Sequence, residues 1–299
     1  MENKDSLKGI IYALAAFSFW GLIPIFWKQI VGVDAFELLG HRMIWGGLML
    51  GLILALSSGK KSLTIGWKKN NRKVLIASGL CIGFNWIIFI WAVQNKHIVE
   101  VSLGYFINPL VNVLFGVVFL KEKLRHLQWG AVGIAIIGIS FLVYQGAGSP
   151  WISISLAGTF ALYGLLRKFV KLSSSEGLFF EMSLVTLLYI PYLVFLYRQE
   201  QLVFLQLDGL TQLLVFLTGA VTIFPLFCFG NAVKGLRLST LGIIQYLVPS
   251  LHLIIGVVLY KEVFTSSHVI TFACIWTALL IYSVEGFYNM RKKAVESSS

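Results

Sequence analysis

Long apolar runs, separated by short basic segments, constrain this chain more strongly than any other feature of its sequence. A helix needs about 20 mostly apolar residues to cross the hydrocarbon core of a bilayer. Ten segments of the 299-residue chain approach or reach this length. They are Leu7–Trp27, Asp34–Leu56, Val74–Val93, Val99–Leu120, Gln128–Tyr144, Trp151–Leu166, Gly177–Tyr197, Leu210–Val233, Leu238–Tyr260 and Ser267–Val284. The runs lack the polar–apolar alternation of membrane β-strands, so the pattern predicts an all-α membrane protein with ten transmembrane helices.

The amino-acid composition excludes an ordinary soluble protein. Apolar residues make up 58% of the chain and charged residues 12%, whereas a soluble domain has about 45–50% and about 25%. The formal net charge is +11, but the basic residues lie in short clusters between the apolar runs. They form no basic face with interleaved aromatic residues, so no nucleic-acid partner is expected. The lipid bilayer is the expected surrounding of most of the chain.

The distribution of lysine and arginine predicts the orientation of the helices. If the N-terminus is inside, 19 of the 24 Lys and Arg residues fall in cytoplasmic segments and 4 in external loops, while Arg42 lies within the second span. Cytoplasmic loops of membrane proteins carry this excess of positive charge. The first apolar run is followed by further apolar runs, so it is interpreted as a retained helix and not as a removed signal peptide. We therefore expect a multi-pass protein of the inner (cytoplasmic) membrane with both termini in the cytoplasm.

The two halves of the chain share a pattern at a shift of about 140 residues. The recurring residues are Pro109, Gly116, Lys121 and Glu122 in the first half and Pro249, Gly256, Lys261 and Glu262 in the second. Each half contains five predicted spans, so the second half is expected to be inverted in the membrane relative to the first. Inverted repeats are typical of secondary transporters. The predicted division is a first repeat in residues 1–146, a second repeat in 147–290 and a cytoplasmic tail in 291–299.

Pro109 and Pro249 lie near the centres of the fourth and ninth predicted spans. Proline lacks a backbone donor and kinks or opens a helix, and opened helix segments at membrane depth line cavities. Both residues are therefore predicted helix kinks beside a transport pathway. Membrane helices also tolerate proline without such a role, and the sequence leaves this alternative open.

Several short motifs then identify a family. They are Trp20-Gly21, His41-Arg42, Asn85-Trp86, the string Ser102–Leu110, and the segment Leu236–Gly242 that continues to Gln245-Tyr246 and Pro249. Together they resemble the RarD-type permeases of the EamA family, in the drug/metabolite transporter superfamily, over essentially the whole chain. This resemblance implies two inverted five-helix repeats around a central cavity, and a permease role in the cytoplasmic membrane.

Arg42 is the most informative candidate site residue, because it is the only Lys or Arg predicted well inside a span. A charge at this depth is expected to face a partner or a wet cavity. One interpretation is a fixed ion pair between helices, with Glu100 as the candidate partner. Another is an anion site for a substrate carboxylate, and a third is a side chain that reaches the interface. The neighbouring His41 is a candidate for proton coupling or, more simply, for a hydrogen bond between helices.

Uncharged polar and aromatic residues near the span centres complete the predicted substrate pathway. They are Asn85, Trp86, Tyr105, Asn108, Asn112, Gln245, Tyr246 and His252. Hydrogen bonds between helices are the alternative role for the polar members of this set. Aromatic walls with a few polar contacts suit an amphipathic small molecule.

The motifs of other functional classes are missing from the sequence. There is no G-x-S-x-G, no H-E-x-x-H and no phosphate-binding loop, so no enzymatic activity, metal, cofactor or ATP-driven mechanism is expected. The predicted function is a secondary transporter, acting as an exporter by alternating access, of small metabolites or amphipathic drugs; amino-acid-like compounds are also candidates. A channel or a structural membrane protein is the alternative. The substrate, the direction of transport, the coupling ion and the oligomeric state are left open by the sequence.

Overall fold

The computed structural model describes residues 2–69, 72–146, 150–261 and 266–296, and all regular structure among them is helical. The α-helices are α1 (Glu2–Trp27), α2 (Ala35–Lys69), α3 (Arg72–Gln94), α4 (Ile98–Leu120), α5 (His126–Gly146), α6 (Pro150–Phe169), α7 (Ser174–Arg198), α8 (Gly209–Gly235), α9 (Leu238–Gln245), α10 (Leu247–Ile254) and α11 (Ser266–Glu296). A 3₁₀ turn covers Val203–Gln206, and a π-helical turn covers Ile255–Leu259. The prediction of an all-helical protein is confirmed for the described residues.

Eight helical segments among the described residues are long and apolar enough to cross a membrane. They lie in α1, α2, α3, α4, α7, α8 and α11, and in the rod Leu238–Leu259 that joins α9, α10 and the π-helical turn. The fifth and sixth predicted spans are not among these eight: the apolar segment found in the described part of α5, His126–Phe141, is too short, and α6 ends in Arg167 and Lys168. Residues 147–149, which were predicted to connect these two helices, lie outside the described residues. Nevertheless, α5 packs against α11, and α6 packs against α3 and α4.

The outer surface of the helices explains why the chain needs lipid. On α2, Leu48, Leu52 and Leu56 follow one another at four-residue spacing with 61%, 62% and 80% of their surfaces exposed. Positions four apart lie on one face of a helix, so these leucines form a continuous apolar stripe that the described residues leave largely uncovered. Such a stripe is unfavourable in water and is the expected lipid-facing surface of a membrane helix.

The ninth predicted span is interrupted near Pro249. Proline has no amide hydrogen, so the carbonyl of Gln245 cannot receive the usual bond from four residues later. The helix breaks at the next residue: α9 ends at Gln245, and the Tyr246 amide bonds back to the Ile243 carbonyl at 3.2 Å. In contrast, α4 runs without interruption through Pro109. The same residue type therefore opens one helix and leaves the other continuous.

Two carboxylates form hydrogen bonds that connect segments distant in the sequence. Glu122 accepts bonds from the amides of Leu238 (2.6 Å) and Ser239 (3.0 Å), and so caps the start of α9. Glu37 accepts bonds from the amides of Val203 (3.1 Å) and Phe204 (2.8 Å) at the 3₁₀ turn. Carboxylates stabilise the free amides at such N-termini. The predicted counterpart of Glu122 in the second half, Glu262, lies outside the described residues.

Candidate functional site

A cavity of about 360 Å³ lies among α1, α2, α3, α4, α6, α8 and the α9–α10 rod. Its wall comes from the last part of α1, the start of α2, the second half of α3 and the first half of α4, which are the parts nearest the α1–α2 and α3–α4 connections. Among the described residues, the second half of the chain contributes Leu156, Phe160, Val221, Thr222, Leu226, Gln245, Val248 and His252. The cavity is therefore built from both halves of the chain and is confined to one half of the helix bundle.

Aromatic rings form much of the cavity wall. They belong to Trp20, Trp27, Trp86, Phe89, Tyr105 and Phe160. The rings of Trp20 and Phe160 meet edge to face at 5.7 Å between centroids, and those of Phe89 and Tyr105 at 6.3 Å. Edge-to-face packing is a favourable geometry for aromatic pairs, so these rings are held in fixed orientations around the cavity.

Arg42 enters this wall from α2. Its Nε donates to the Thr222 hydroxyl on α8 at 3.1 Å. Its guanidinium carbon lies 4.9 Å from the centroid of the Trp27 ring and 5.8 Å from that of the Trp86 ring, within the range of cation–π attraction. The guanidinium therefore lies near two indole rings and makes one hydrogen bond with the described residues.

The proposed ion pair between Arg42 and Glu100 is not formed, and that interpretation is corrected. Among the described residues, no carboxylate lies within ion-pair distance of Arg42, while the Glu100 carboxylate lies 3.2 Å from His97 Nδ1. Glu100 lies in the first turn of α4 and turns toward His97, the residue just before that helix. Local geometry at the start of α4 therefore decides the partner of Glu100.

Asparagine side chains tie the cavity helices together. Asn85 Nδ2 donates to the Leu156 carbonyl (2.9 Å) and to the Thr159 hydroxyl (2.8 Å), which joins α3 to α6. Asn108 Nδ2 donates to the Ala157 carbonyl at 2.6 Å and joins α4 to α6. The amide of each side chain is thus engaged in helix packing, although both residues also face the cavity.

A second set of polar bonds involves the α9–α10 rod. Asn112 Nδ2 donates to Gln245 Oε1 at 2.8 Å and to Asn108 Oδ1 at 3.1 Å. His252 Nε2 lies 3.1 Å from the Trp20 carbonyl. A carbonyl only accepts hydrogen bonds, so this contact requires the proton on Nε2. These bonds hold the rod against α4 and α1.

The structure places seven of the predicted pathway residues in the cavity wall. They are Arg42, Asn85, Trp86, Tyr105, Asn108, Gln245 and His252. His41, Asn112 and Tyr246 do not line this cavity, and neither do Pro109 and Pro249. The His41 ring instead packs 4.4 Å from the Phe204 ring, with Nε2 3.6 Å from Glu37. Asn112 and Tyr246 are each fully buried between helices.

Thr222, the hydrogen-bond partner of Arg42, was not predicted from the sequence. A threonine in an apolar helix commonly bonds to its own backbone, and the Thr222 hydroxyl does donate to the Thr218 carbonyl at 2.8 Å. Its additional role as acceptor for Arg42 depends on the contact between α2 and α8. This role follows only from the contact with the Arg42 side chain, which lies 180 positions away in the sequence.

A second buried arginine was also missed. Arg167 was assigned to a cytoplasmic segment from its sequence position, but its side chain is fully buried. Its Nη1 lies 3.3 Å from Glu181 Oε1, and its Nη2 donates to the Ser174 carbonyl at 3.0 Å. Tyr163 donates to Glu181 Oε2 at 3.2 Å, and Ser78 also donates to this carboxylate. Arg167 lies in the last turn of α6, one residue beyond the sixth predicted span, so its burial comes from helix packing and not from its depth in a span.

Three comparisons with known proteins agree with this architecture. Residues 7–144 match the model of the EamA-like transporter family. An uncharacterized transporter of Vibrio cholerae is 41% identical over 95% of both chains, and the protein RarD of Salmonella typhi is 39% identical over 98% of this chain and 100% of its own. A crystal structure with 16% sequence identity superimposes with a TM-score of 0.72 over 94% of this chain and 97% of the other, which supports the fold. The chain therefore belongs to the EamA-like transporter family as a RarD-type permease, a multi-pass membrane transporter.

Proposed function

We propose that the chain is a secondary transporter that exports small metabolites or amphipathic drugs through the cavity by alternating access. The observation that carries this proposal is the position of the cavity, which both halves of the chain line and which occupies only one half of the bundle. A carrier needs such a site between two units that rock against each other. A channel instead needs a continuous path.

The other half of the bundle is closed by packed side chains. Phe17, Tyr163 and Phe229 are fully buried, and the rings of Tyr163 and Phe229 stack at 5.7 Å. The ion pair of Arg167 and Glu181 lies beside them. With the N-terminus in the cytoplasm, this closed half is the cytoplasmic side, and the cavity faces outward. Transport then requires these contacts to separate while the outer half closes.

The proposed moving units are the two halves of the chain, residues 1–146 and 147–290, with 291–299 as a cytoplasmic tail. Lys121 and Lys261, at equivalent positions of the sequence repeat, both have left-handed backbone conformations with φ of 54° and 57°. Each follows the helical rod that contains the corresponding proline. This local agreement supports an inverted repeat of five helices in each half.

Cysteine accessibility tests the cavity as a transport pathway. In a variant without Cys81, Cys228 and Cys274, we expect cysteines at Ser102 and Val248 to react with a small water-soluble maleimide, because both positions line the cavity. A transported compound should slow both reactions. A cysteine at Ile139, which is 5% exposed in the apolar contact between α5 and α11, is the unreactive control. Equal labelling of all three positions with no protection would contradict a substrate cavity.

Counterflow separates a carrier from a channel. A carrier in proteoliposomes should take up labelled compound against its gradient when unlabelled compound is preloaded, and the uptake should saturate. A channel conducts in proportion to concentration and shows no counterflow. Uptake that neither saturates nor shows counterflow would contradict alternating access and indicate a channel.

Reporter fusions test the proposed ten crossings against the eight segments that satisfy length and hydropathy. Fusions after Ser299 and between residues 60 and 73 should report a cytoplasmic location, and one at Gly148 an external location. If α5 and α6 did not cross, Gly148 would lie on the cytoplasmic side. A paired reporter of opposite compartment preference at each site is the control, and a cytoplasmic signal at Gly148 would refute the ten-helix topology.

A further inference from the structure

We infer that the cavity binds an organic anion with a flat apolar body, held by the two Nη groups of Arg42, and discriminates against cations and zwitterions. This inference rests on the proposed function, because it names the substrate class of the same site. It assigns Thr222 a positioning role, since Thr222 contacts Arg42 and orients it.

The charge of the cavity wall is the first argument. Among the described residues that line the cavity, Arg42 is the only Lys or Arg, and none is Asp or Glu. A cation in this setting lacks a counter-ion, and a bound carboxylate supplies one. An ammonium group would meet no carboxylate in the wall and would be repelled by Arg42. This asymmetry disfavours amino-acid-like zwitterions, although the sequence left them open as substrates.

The orientation of the guanidinium is the second argument. Its Nε is already engaged with Thr222, and the hydrogen bonds that the described residues make with Arg42 use Nε alone. A carboxylate binds arginine bidentately either through Nε and one Nη or through both Nη atoms. Because Nε is already bonded to Thr222, a carboxylate can bind bidentately only through both Nη atoms, in the end-on arrangement. The indole rings of Trp27 and Trp86 lie 4.9 Å and 5.8 Å from the guanidinium carbon, within the range of cation–π attraction.

Thr222 is itself fixed in the orientation that this role requires. Its hydroxyl hydrogen is directed to the Thr218 carbonyl at 2.8 Å, so the oxygen presents a lone pair to Arg42. The side chain is 3% exposed. A serine preserves this pair of bonds, whereas a valine of the same shape removes both.

The volume of the cavity and the residues of its wall indicate the size and polarity of the rest of the ligand. About 360 Å³ lies near the lower end of the range for small-molecule sites. The six aromatic rings of the wall provide flat apolar surfaces, and Tyr105, Asn108 and Gln245 add neutral polar groups. A compact aromatic carboxylate fits these surfaces better than an inorganic anion does.

The test is a binding experiment with a matched series of compounds and the full-length protein in detergent. The probes are 3-phenylpropionate, its neutral amide, 3-phenylpropylamine and phenylalanine, with acetate and phosphate as small anions. Calorimetry and the ligand-induced shift of the melting temperature are the measurements. We expect 3-phenylpropionate to bind at least about tenfold more tightly than every other probe, because it alone combines a ring with a free carboxylate and no ammonium.

The variants separate positioning from general stability. Arg42→Lys should weaken 3-phenylpropionate binding by about tenfold, because lysine offers a point charge in place of a fork, and Arg42→Gln should abolish it. Thr222→Val should weaken binding by about fivefold to tenfold with little effect on the neutral amide, whereas Thr222→Ser should retain it. Thr271→Val is the matched control, because the buried Thr271 hydroxyl bonds to the Gly138 carbonyl at 3.1 Å, away from the cavity wall.

The outcomes distinguish this inference from the proposed function. Tighter binding of the amine or of phenylalanine would overturn the anion assignment, and equal binding of acetate or phosphate would overturn the aromatic body. If a neutral compound shows counterflow while 3-phenylpropionate fails to bind, the carrier stands and the substrate class is wrong. If 3-phenylpropionate binds in the predicted way but no compound shows counterflow, the anion site stands and the carrier is wrong. Equal loss of binding in Thr222→Ser and Thr222→Val would remove the positioning role.

Discussion

Replacing Arg167 by methionine should lower the free energy of unfolding by about 3–5 kcal/mol, because it leaves the Glu181 carboxylate charged and unpaired in the interior. Both side chains of this pair are almost completely buried, at 0% and 1% exposure. The guanidinium also fills the space beside two glycines: a Cβ added at Gly177 or at Gly230 would lie 2.3 Å from it. The pair is therefore enclosed by residues of α3, α6, α7 and α8.

A double variant that also removes the Glu181 charge measures how much of this loss in stability comes from the unpaired carboxylate. Arg167→Met combined with Glu181→Gln removes both charges; the glutamine carbonyl can accept from one of the Ser78 and Tyr163 hydroxyls, and its NH2 group can donate to the other. We expect the double variant to recover roughly half of the loss, because the uncompensated carboxylate is gone while the cavity left by arginine remains. Melting temperatures and unfolding titrations in detergent are the measurements.

Arg42→Gln is the stability control for this experiment. Arg42 has no carboxylate partner among the described residues, so its loss strands no acid, and the melting temperature should change little. An unchanged melting temperature for Arg167→Met, or a double variant less stable than both single variants, would show that the buried pair does not hold the closed half together.

Replacing Gly219 by valine should separate α2 from α8 and abolish transport. A Cβ at Gly219 would lie 2.6 Å from the Gly46 nitrogen and 2.7 Å from the Trp45 carbonyl carbon. These atoms are backbone and cannot move without moving α2. Overpacking of a filled interior costs about 1–3 kcal/mol, and occasionally more. We expect the upper end of this range for valine, and a smaller but measurable loss for alanine.

The loss of transport has a separate geometric reason. Thr222 lies three residues beyond Gly219 on α8, and it bonds to Arg42, four residues before Gly46 on α2. A shift of α8 away from α2 at Gly219 therefore stretches the Thr222–Arg42 bond. Counterflow in proteoliposomes and detergent melting curves measure the two effects.

Gly133 on α5 is the matched glycine. A Cβ at Gly133 would have no heavy atom within 4 Å, so Gly133→Ala should be neutral or stabilising by up to about 1 kcal/mol through helix propensity. If Gly219→Ala melted at or above the temperature of Gly133→Ala, the close approach of α2 and α8 would not limit stability.

The position of residues around each helix limited what the sequence could predict about the site. Successive residues of an α-helix are about 100° apart, so neighbours in a motif do not always face the same cavity. Arg42 faces the cavity while His41 packs on Phe204, and Gln245 faces it while Tyr246 is buried on another side. A sequence motif identifies the helical turn that lies near the cavity, and the packing of the helices determines which residue of that turn faces it.

The helical class, the membrane environment and the family follow from the sequence, because apolar length and short motifs are local properties. Even so, the apolar pattern was weakest for α5 and α6, whose cohesion comes from their contacts with α11, α3 and α4. The partners of the two buried or cavity-lining arginines were decided only by the tertiary structure. Arg42 on α2 bonds to Thr222 on α8, and Arg167 on α6 reaches Glu181 on α7, whereas the contact of Glu100 with His97 is local. Because a charge in a low-dielectric interior is stabilised by whichever polar group the fold brings within about 3 Å, its role depends on contacts between helices that no single stretch of sequence contains.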